Sequence, residues 1–432
     1  MNKNHNIKRI FLPNLFKSTI CNYSTNQIKD DFLQWFVGFS DAESNFIIVP
    51  HKNGTKVNKF TFRFTIKLHL DDQDSLIYIK NFLGIGYTFK TKDECGFIVS
   101  NKQDLLKLIE IFDRYQLNSI KFLDFYDLKK AFLLYHEREG KITDLLIDKI
   151  LSIKNGMNKN RVNFEMNESQ IKITSYWLLG LIEGEGSFQL WRNNISPVFS
   201  IVMTEKQLPL FIKIREFLIK EFEFNVYDKI KIENTSVISI NNQTARNNSK
   251  GSVLLIIKNT NVLYNYLIPY LDSLNFITKK YKDFEDFKLL VKVIYNGGNR
   301  NKEIKSLILK LSYIMNNYRL STTKANSINL NPEERDKLIN MTPKVKRLKD
   351  GRLIDILSNK VVHQAESSIY KILNPKGEIL IVQTLTEAAK IVDVNIKTLS
   401  RKLDSDESMV NIKNFNIKRI GVFYRNKLNN MD

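Results

Sequence analysis

The sequence predicts an α+β protein of two similar halves, each running helix–strand–strand–helix–strand–strand–helix, followed by a small C-terminal module with helix-turn-helix character. Three observations carry this. First, landmarks recur in one order: WFVGFSDAESNF from Trp35 and WLLGLIEGEGSF from Trp177, KFLDFYDLK from Lys121 and KYKDFEDFK from Lys280, MNKNR from Met157 and MNNYR from Met315. Their offsets are 142, 159 and 158 residues, which marks an internal duplication. Second, segments of strand and helix period alternate between the landmarks. Third, the repeat ends near Thr322 and a polar, charged composition follows.

The elements follow in order. Phe62, Phe64, Ile66, Leu68 and Leu70 alternate with Thr61, Arg63, Thr65, Lys67 and His69, a half-buried strand with a polar, partly basic face. Residues 74–83 have helical spacing, IGYTFKT and CGFIVSN are two short strands, and residues 105–115 are a second helix. The second half runs alike, with strands over 198–203, 237–240 and 253–258 and helices over 208–222 and 262–271. Its extra 16 or 17 residues fall between the first and second landmarks, and NNQTARNNSKG (241–251) is the expected long loop. Helices on one side of a sheet and charged residues on the other make an α+β unit with an open face suited to a polyanion.

Composition narrows the function. The 432 residues exceed one ordinary core and suit two or three domains. Lys and Arg number 66 against 46 Asp and Glu, a net charge of +20, which favours nucleic acid as partner. No apolar run approaches the roughly 18 residues a membrane-spanning helix needs. Two cysteines and five histidines at scattered positions form no thiolate or imidazole metal cluster, so any metal is held by oxygen. The first 29 residues carry Lys3, Lys8, Arg9, Lys17 and Lys29 and no acid, and read either as a mitochondrial targeting segment or as a basic arm. The Asn, Ile and Lys bias suits an A/T-rich, organellar genome.

Chemistry concentrates in the first landmark. Gly38 and Ala42 are four apart, as are Gly180 and Gly184, so each small pair lies on one helix face and lets two helix backbones approach. A helix-interior glycine costs roughly 1 kcal/mol against alanine, which close packing offsets. The next residue in each copy is an acid, Glu43 and Glu185. Pairing of the helices about a pseudo-two-fold axis sets these acids side by side at helix C-termini, where carbonyls also point outward. Carboxylate, carbonyl and phosphate oxygens suit Mg²⁺. Asp41 and Glu183 are read either as structural acids, for example capping the partner helix, or as acids that tune the metal site.

These two segments resemble the signature motifs of the LAGLIDADG homing endonuclease family in its single-chain, two-motif form, with the motif falling on Phe36–Ser44 and Leu178–Gly186. The resemblance implies αββαββα halves whose sheets form a DNA-binding saddle, with Mg²⁺ (or Mn²⁺) bound by Glu43 and Glu185. It also implies cleavage of each strand of double-stranded DNA at a long asymmetric site, and a basic active-site lysine at Lys121 and Lys280. Arg63 and Lys67 on the open strand face are the expected DNA contacts. The ninth motif position is Gly186 in one half and Ser44 in the other; glycine there is expected to take a left-handed conformation. The family also contains RNA maturases that assist group I intron splicing, which is the alternative activity. A monomer in mitochondria with no membrane contact is the expected setting.

The expected domains are a basic extension (1–29), a first half (30–165), a second half (166–322), a linker (323–365) with a helix near Pro332–Asn340, and a DNA-binding module (366–432). In the module, residues 370–373 and 379–382 form a hairpin, Thr386 caps a helix over 387–392, and residues 396–403 form a second helix bearing Lys397 and Arg401. A short helix, a tight turn and a basic helix suit major-groove binding.

Overall fold

The repeat landmarks become one architecture used twice. The structure is a computed structural model that describes residues 25–224, 237–245, 250–322, 330–348, 353–362, 366–405 and 409–424; the first 24 residues of the expected basic extension lie outside them. The first half runs α1 (Thr25–Glu43), β1 (Ser44–Asn53), β2 (Lys56–His69), α2 (Gln73–Leu83), β3 (Tyr87–Lys90), β4 (Glu94–Val99) and α3 (Lys102–Arg114), then adds α4 (Lys121–His136) and α5 (Asp144–Asn155). The second runs α6 (Ser175–Glu185), β5 (Gly186–Trp191), β6 (Ser196–Thr204), α7 (Leu208–Glu221), β7 (Ser239–Gln243), β8 (Ser252–Ile257) and a helical stretch α8 (260–272). It adds α9 (Lys280–Tyr295) and α10 (Lys302–Ser312). Both sheets are antiparallel with the same order, β1-β2-β4-β3 and β5-β6-β8-β7.

Period-two patterning sets the faces. Phe60, Phe62, Phe64 and Ile66 of β2 are buried under the helices, where Phe64 meets Phe36, Phe46, Phe97 and Phe112. Arg63 and Lys67 take the opposite face. Most of the second half's extra length lies elsewhere than expected: α7 and β7 are joined by residues 222–238, where the first half needs only 84–86. The 241–251 stretch begins inside β7, because Ser239–Gln243 pairs with Ser252–Ile256.

The other landmarks are a structural lock. Arg161 Nη2 lies 2.7 Å from Asp124 Oδ1 and 2.6 Å from Asp127 Oδ2. Arg319 bonds Asp283 and Asp286 in the same way. Asn158 and Asn316, both at positive φ, donate from backbone N–H to Asp124 and Asp283 and from the side-chain amide to the carbonyls of Phe46 and Phe188. This ties the end of each half to its β1 or β5 strand.

The expected linker is docked structure through much of its length. Asn331 and Glu334 form a capping box on α11 (Pro332–Ile339), whose Leu338 is buried in the main core. Arg335 pairs with Asp286 at 2.6 Å, and Lys344 N–H donates to the Asn296 carbonyl at 2.9 Å. The two-stranded sheet β9 (Val345–Arg347) and β10 (Leu353–Asp355) follows, with the Arg347 guanidinium over Tyr295. The helix falls where the sequence places one, near Pro332–Asn340; its docking was not legible because Leu338 alone is buried and the rest, Ile339 included, is exposed or largely polar.

The C-terminal module has its own core, around Tyr370, Ile372, Ala388, Ala389, Val392, Leu399 and Leu403. Its sheet contains β11 (Glu366–Leu373) and β12 (Ile379–Val382), the hairpin read from sequence, together with β13 (Val410–Ile412) and β14 (Phe415–Tyr424). Two helices cross it, α12 (Leu385–Val392) and α13 (Ile396–Ser405). The helix cap is Thr384 instead of Thr386: its hydroxyl accepts from Glu387 N–H, and Leu385 opens the helix. Asp393 makes the turn at φ 51°.

Candidate active site

α1 and α6 pack against each other through the small residues. A Cβ at Gly38 would strike the Trp177 carbonyl, one at Gly180 the Trp35 carbonyl, and one at Gly184 the Cβ of Ala42. Backbone therefore meets backbone, and nothing larger than these residues fits. Each helix also sends an indole across: Trp35 Nε1 donates to Glu183 Oε1 at 2.8 Å, and Trp177 Nε1 donates to Asp41 Oδ2 at 2.9 Å.

Asp41 and Glu183 differ from the expected caps of the partner helix. Asp41 accepts from the N–H groups of Asn118 and Ser119, just ahead of α4. Glu183 accepts from Ile277 and Thr278, just ahead of α9. Each acid thus fastens the start of its own half's lysine helix and takes the partner's indole. Both are buried, and burial raises both carboxyls, Glu183 to about 7, against the pull of these donors.

The structure brings Glu43, Glu185, Lys121 and Lys280 together. The Glu43 side chain comes within 3.3 Å of where a Gly184 Cβ would stand. Burial raises the Glu185 carboxyl to about 7, helped by the neighbouring Glu43 and opposed by Lys121 and Lys280. Burial raises Glu43 too, with both lysines pulling it down. The Lys121 ammonium, pushed down by burial and held up by Asp41, Glu43 and Glu185, donates to the Ala42 carbonyl at 2.5 Å. Lys280 Nζ donates to the Gly186 carbonyl at 2.8 Å. Lys121 and Lys280 are each the first residue of a helix. Two of the carbonyls expected to face a cation are thus engaged by lysines, on opposite sides of the two glutamates in sequence.

The ninth motif position differs from expectation. Gly186 is extended (φ −72°, ψ 145°), not left-handed. Glycine fits there because a Cβ would meet the Ile182 carbonyl. Ser44 opens β1 in the other half and donates its hydroxyl to the Ser40 carbonyl at 2.6 Å.

Of the remaining sequence candidates, Lys67 lines the cleft that holds Glu43 and Lys280, whereas Arg63, Lys397 and Arg401 do not. Lys67 lies on the open face of β2 and pairs with Glu94 at 2.6 Å, its side chain 57% exposed. Arg63 is half-buried on the same face. Lys397 and Arg401 are exposed on α13. Sequence reading missed the two indoles, although both open the quoted motifs at the shared offset. It also missed Asp72 and Lys279, which line the cleft beside Glu43 and Lys280. Among the described residues no helix is long and apolar enough to cross a membrane.

Known proteins are similar to this chain in sequence and fold. The family described as LAGLIDADG endonuclease matches twice, over residues 36–132 and 178–291. The chain is 33% identical over 250 residues to the "Probable intron-encoded endonuclease Cox1-I1b" of Schizosaccharomyces pombe, covering 55% of this chain and 61% of that protein. It is 26% identical to the "Uncharacterized mitochondrial protein RF1" of Saccharomyces cerevisiae, covering 67% and 60%. The chain therefore spans about three-fifths of the length of these two relatives. Among solved structures, the LAGLIDADG homing endonuclease I-GzeII in complex with its DNA target superposes with a TM-score of 0.56 at 25% identity, covering 66% of this chain and 99% of that one. I-LtrWI bound to target DNA gives 0.57 at 23%, covering 67% and 99%. With both motif helices, both sheets and this likeness in agreement, the chain belongs to the LAGLIDADG endonuclease family.

Proposed function

We propose that this chain is a site-specific, divalent-metal-dependent endonuclease that cuts both strands of double-stranded DNA and so promotes the homing of an intron or mobile gene. The observation that carries the reading is the paired carboxylates. Glu43 and Glu185 come from two halves and meet at one axis, where burial raises both carboxyls and the Glu43 charge raises Glu185 further. Such a pair is a poor neighbour for itself and a good one for a hard cation. Among the described residues no cluster of three or more His, Cys, Asp or Glu forms a cage. Glu43 and Glu185 would therefore hold Mg²⁺ or Mn²⁺ with solvent and phosphate oxygens completing the shell. When bound, the cation would stabilise charge on a reacting phosphate and make its water more acidic.

The chain's own groups supply the rest. Lys121 and Lys280 sit beside the acids as donors toward developing phosphate charge. The open sheet faces, with Arg63 and Lys67 on the first, would follow the duplex and read base edges, and Lys397 and Arg401 on α13 would add contacts to its side. Both acids and both lysines are present, which favours cleavage over an RNA-maturase role alone. The intron-encoded and mitochondrial relatives support a mitochondrial setting.

The test is Glu43→Gln and Glu185→Gln, assayed on supercoiled plasmid carrying the intron-less host allele, with Mg²⁺ and with Ca²⁺. Each variant is expected to bind DNA with affinity near wild type and to lose double-strand cleavage, leaving at most nicked circles. Undiminished linear product from either variant would sink the site assignment.

A further inference from the structure

Each half reaches into the other at a point next to the lysine. After β2 comes a single 3-10 turn, Leu70–Asp72; after β6 comes its counterpart, Glu205–Gln207. Asp72 Oδ2 lies 2.7 Å from Lys279 Nζ in the second half, and Lys279 is the residue before Lys280. The Gln207 side-chain oxygen accepts from Ile120 N–H in the first half at 3.3 Å, and Ile120 is the residue before Lys121. Lys279 and Ile120 are the N-cap residues of α9 and α4. The two turns thus occupy equivalent places and hold equivalent residues, each across the boundary between halves.

Resting on the endonuclease reading above, we propose that Asp72 and Gln207 are positioning residues that act in trans. Each fixes the start of the other half's lysine helix, Asp72 through an ion pair and Gln207 through a neutral hydrogen bond. The two clamps are unequal in chemistry. The Asp72–Lys279 pair is largely shielded, with side chains 12% and 25% exposed. Its turn is tied down a second time, because Ser321 N–H donates to Asp71 Oδ2 at 2.8 Å and the His69 ring bonds the Thr322 hydroxyl at 2.9 Å. Without the Asp72 charge, two adjacent ammoniums, Lys279 and Lys280, would share a shielded site with one fewer counter-charge. Lys280 would then be drawn off the Gly186 carbonyl. Loss of Gln207 would only free one backbone N–H. Each strand is therefore expected to depend on a different clamp.

The experiment uses full-length protein and a duplex with a distinct label on each strand, read under single turnover. Asp72→Asn should slow cutting of one strand by about 10- to 100-fold, as small misplacements of a reacting group do. The other strand should change by less than about threefold, with the dissociation constant for DNA unchanged. Gln207→Ala should slow the opposite strand. Adding Lys279→Gln to Asp72→Asn removes the orphaned charge and should restore much of the lost rate. A readout independent of cleavage is hydrogen exchange. Asp72→Asn should raise exchange in peptides over 280–290 and not in those over 121–131, and Gln207→Ala the reverse.

Equal slowing of both strands, or equal loosening of both helix starts, would make the clamps general stabilisers and overturn the proposal. So would an unchanged strand ratio in an enzyme that cuts both. A wild-type protein that binds DNA and cuts neither strand would refute the endonuclease reading instead, and the exchange pattern would still decide the clamps.

Discussion

At the scale of residues, the two glutamates are equivalent by repeat and unequal by surroundings. Glu185 is pushed up to about 7 by burial and by Glu43. A cation needs the carboxylate, so its binding must displace whatever proton is there. The sign follows from the raised value. Below about pH 7 the Glu185 carboxyl is largely protonated, so binding of Ca²⁺ by the free enzyme should release close to one proton at pH 6. Its affinity should fall by up to about tenfold per pH unit. At pH 8 the proton is already gone and release should approach zero. Calorimetry at each pH in two buffers of different ionisation enthalpy measures this directly. Equal proton release at pH 6 and pH 8 would mean that the pair is not the cation site. Glu185→Gln should abolish the release at pH 6.

At the scale of elements, the α1–α6 contact is set by four small residues whose roles are not interchangeable. A Cβ at Gly38 or Gly180 meets main chain, which cannot give way, whereas one at Gly184 meets the side chain of Ala42. Gly38→Ala should therefore cost about 3 kcal/mol or more, at the upper end for overpacking. Gly184→Ala should also destabilise, and the double change Gly184→Ala with Ala42→Gly should recover most of that loss, because one methyl is exchanged for another across the same gap. Urea unfolding of the four variants checks the cycle; simple additivity would mean the two positions do not share a gap. This packing was legible in the sequence because i and i+4 spacing fixes a helix face whatever lies far away. So were the duplication, the sheets and the meeting of the four charged site residues. Their partners were not. Asp41 and Glu183 bond to backbone just ahead of α4 and α9, and Asp72 reaches Lys279 across nearly half the chain. No local period announces such a pairing. The left-handed glycine expected at Gly186 failed for the opposite reason: a general rule for helix ends was applied where the chain passes straight into a strand and steric room decides.

At the scale of the whole molecule, the question is where the nuclease fold stops. The repeat ends near Thr322, but the physical body does not. Leu338 is buried in the main core, Arg335 joins Arg319 on Asp286, and Lys310 pairs with Glu334 at 2.5 Å. Ending the chain after Thr322 would expose the surface under Leu338 and leave Asp286 one cation short, so that truncation should lower the unfolding temperature. Ending it after Val362 keeps α11, β9 and β10 and removes only residues 363–432, whose described part has its own core. That shorter protein should melt its main body as the full chain does. If Lys397 and Arg401 neutralise phosphates, it should also bind target DNA more weakly, with a shallower dependence of affinity on salt. The slope of log affinity against log salt should shrink by about 0.9 for each phosphate that is no longer neutralised. Fluorescence anisotropy over a salt series, on a target long enough to extend past the cleavage site, measures this. An unchanged slope would free the module of any role on the DNA backbone. A lowered melting temperature in the Val362 truncation would show that the module helps to hold the main body together.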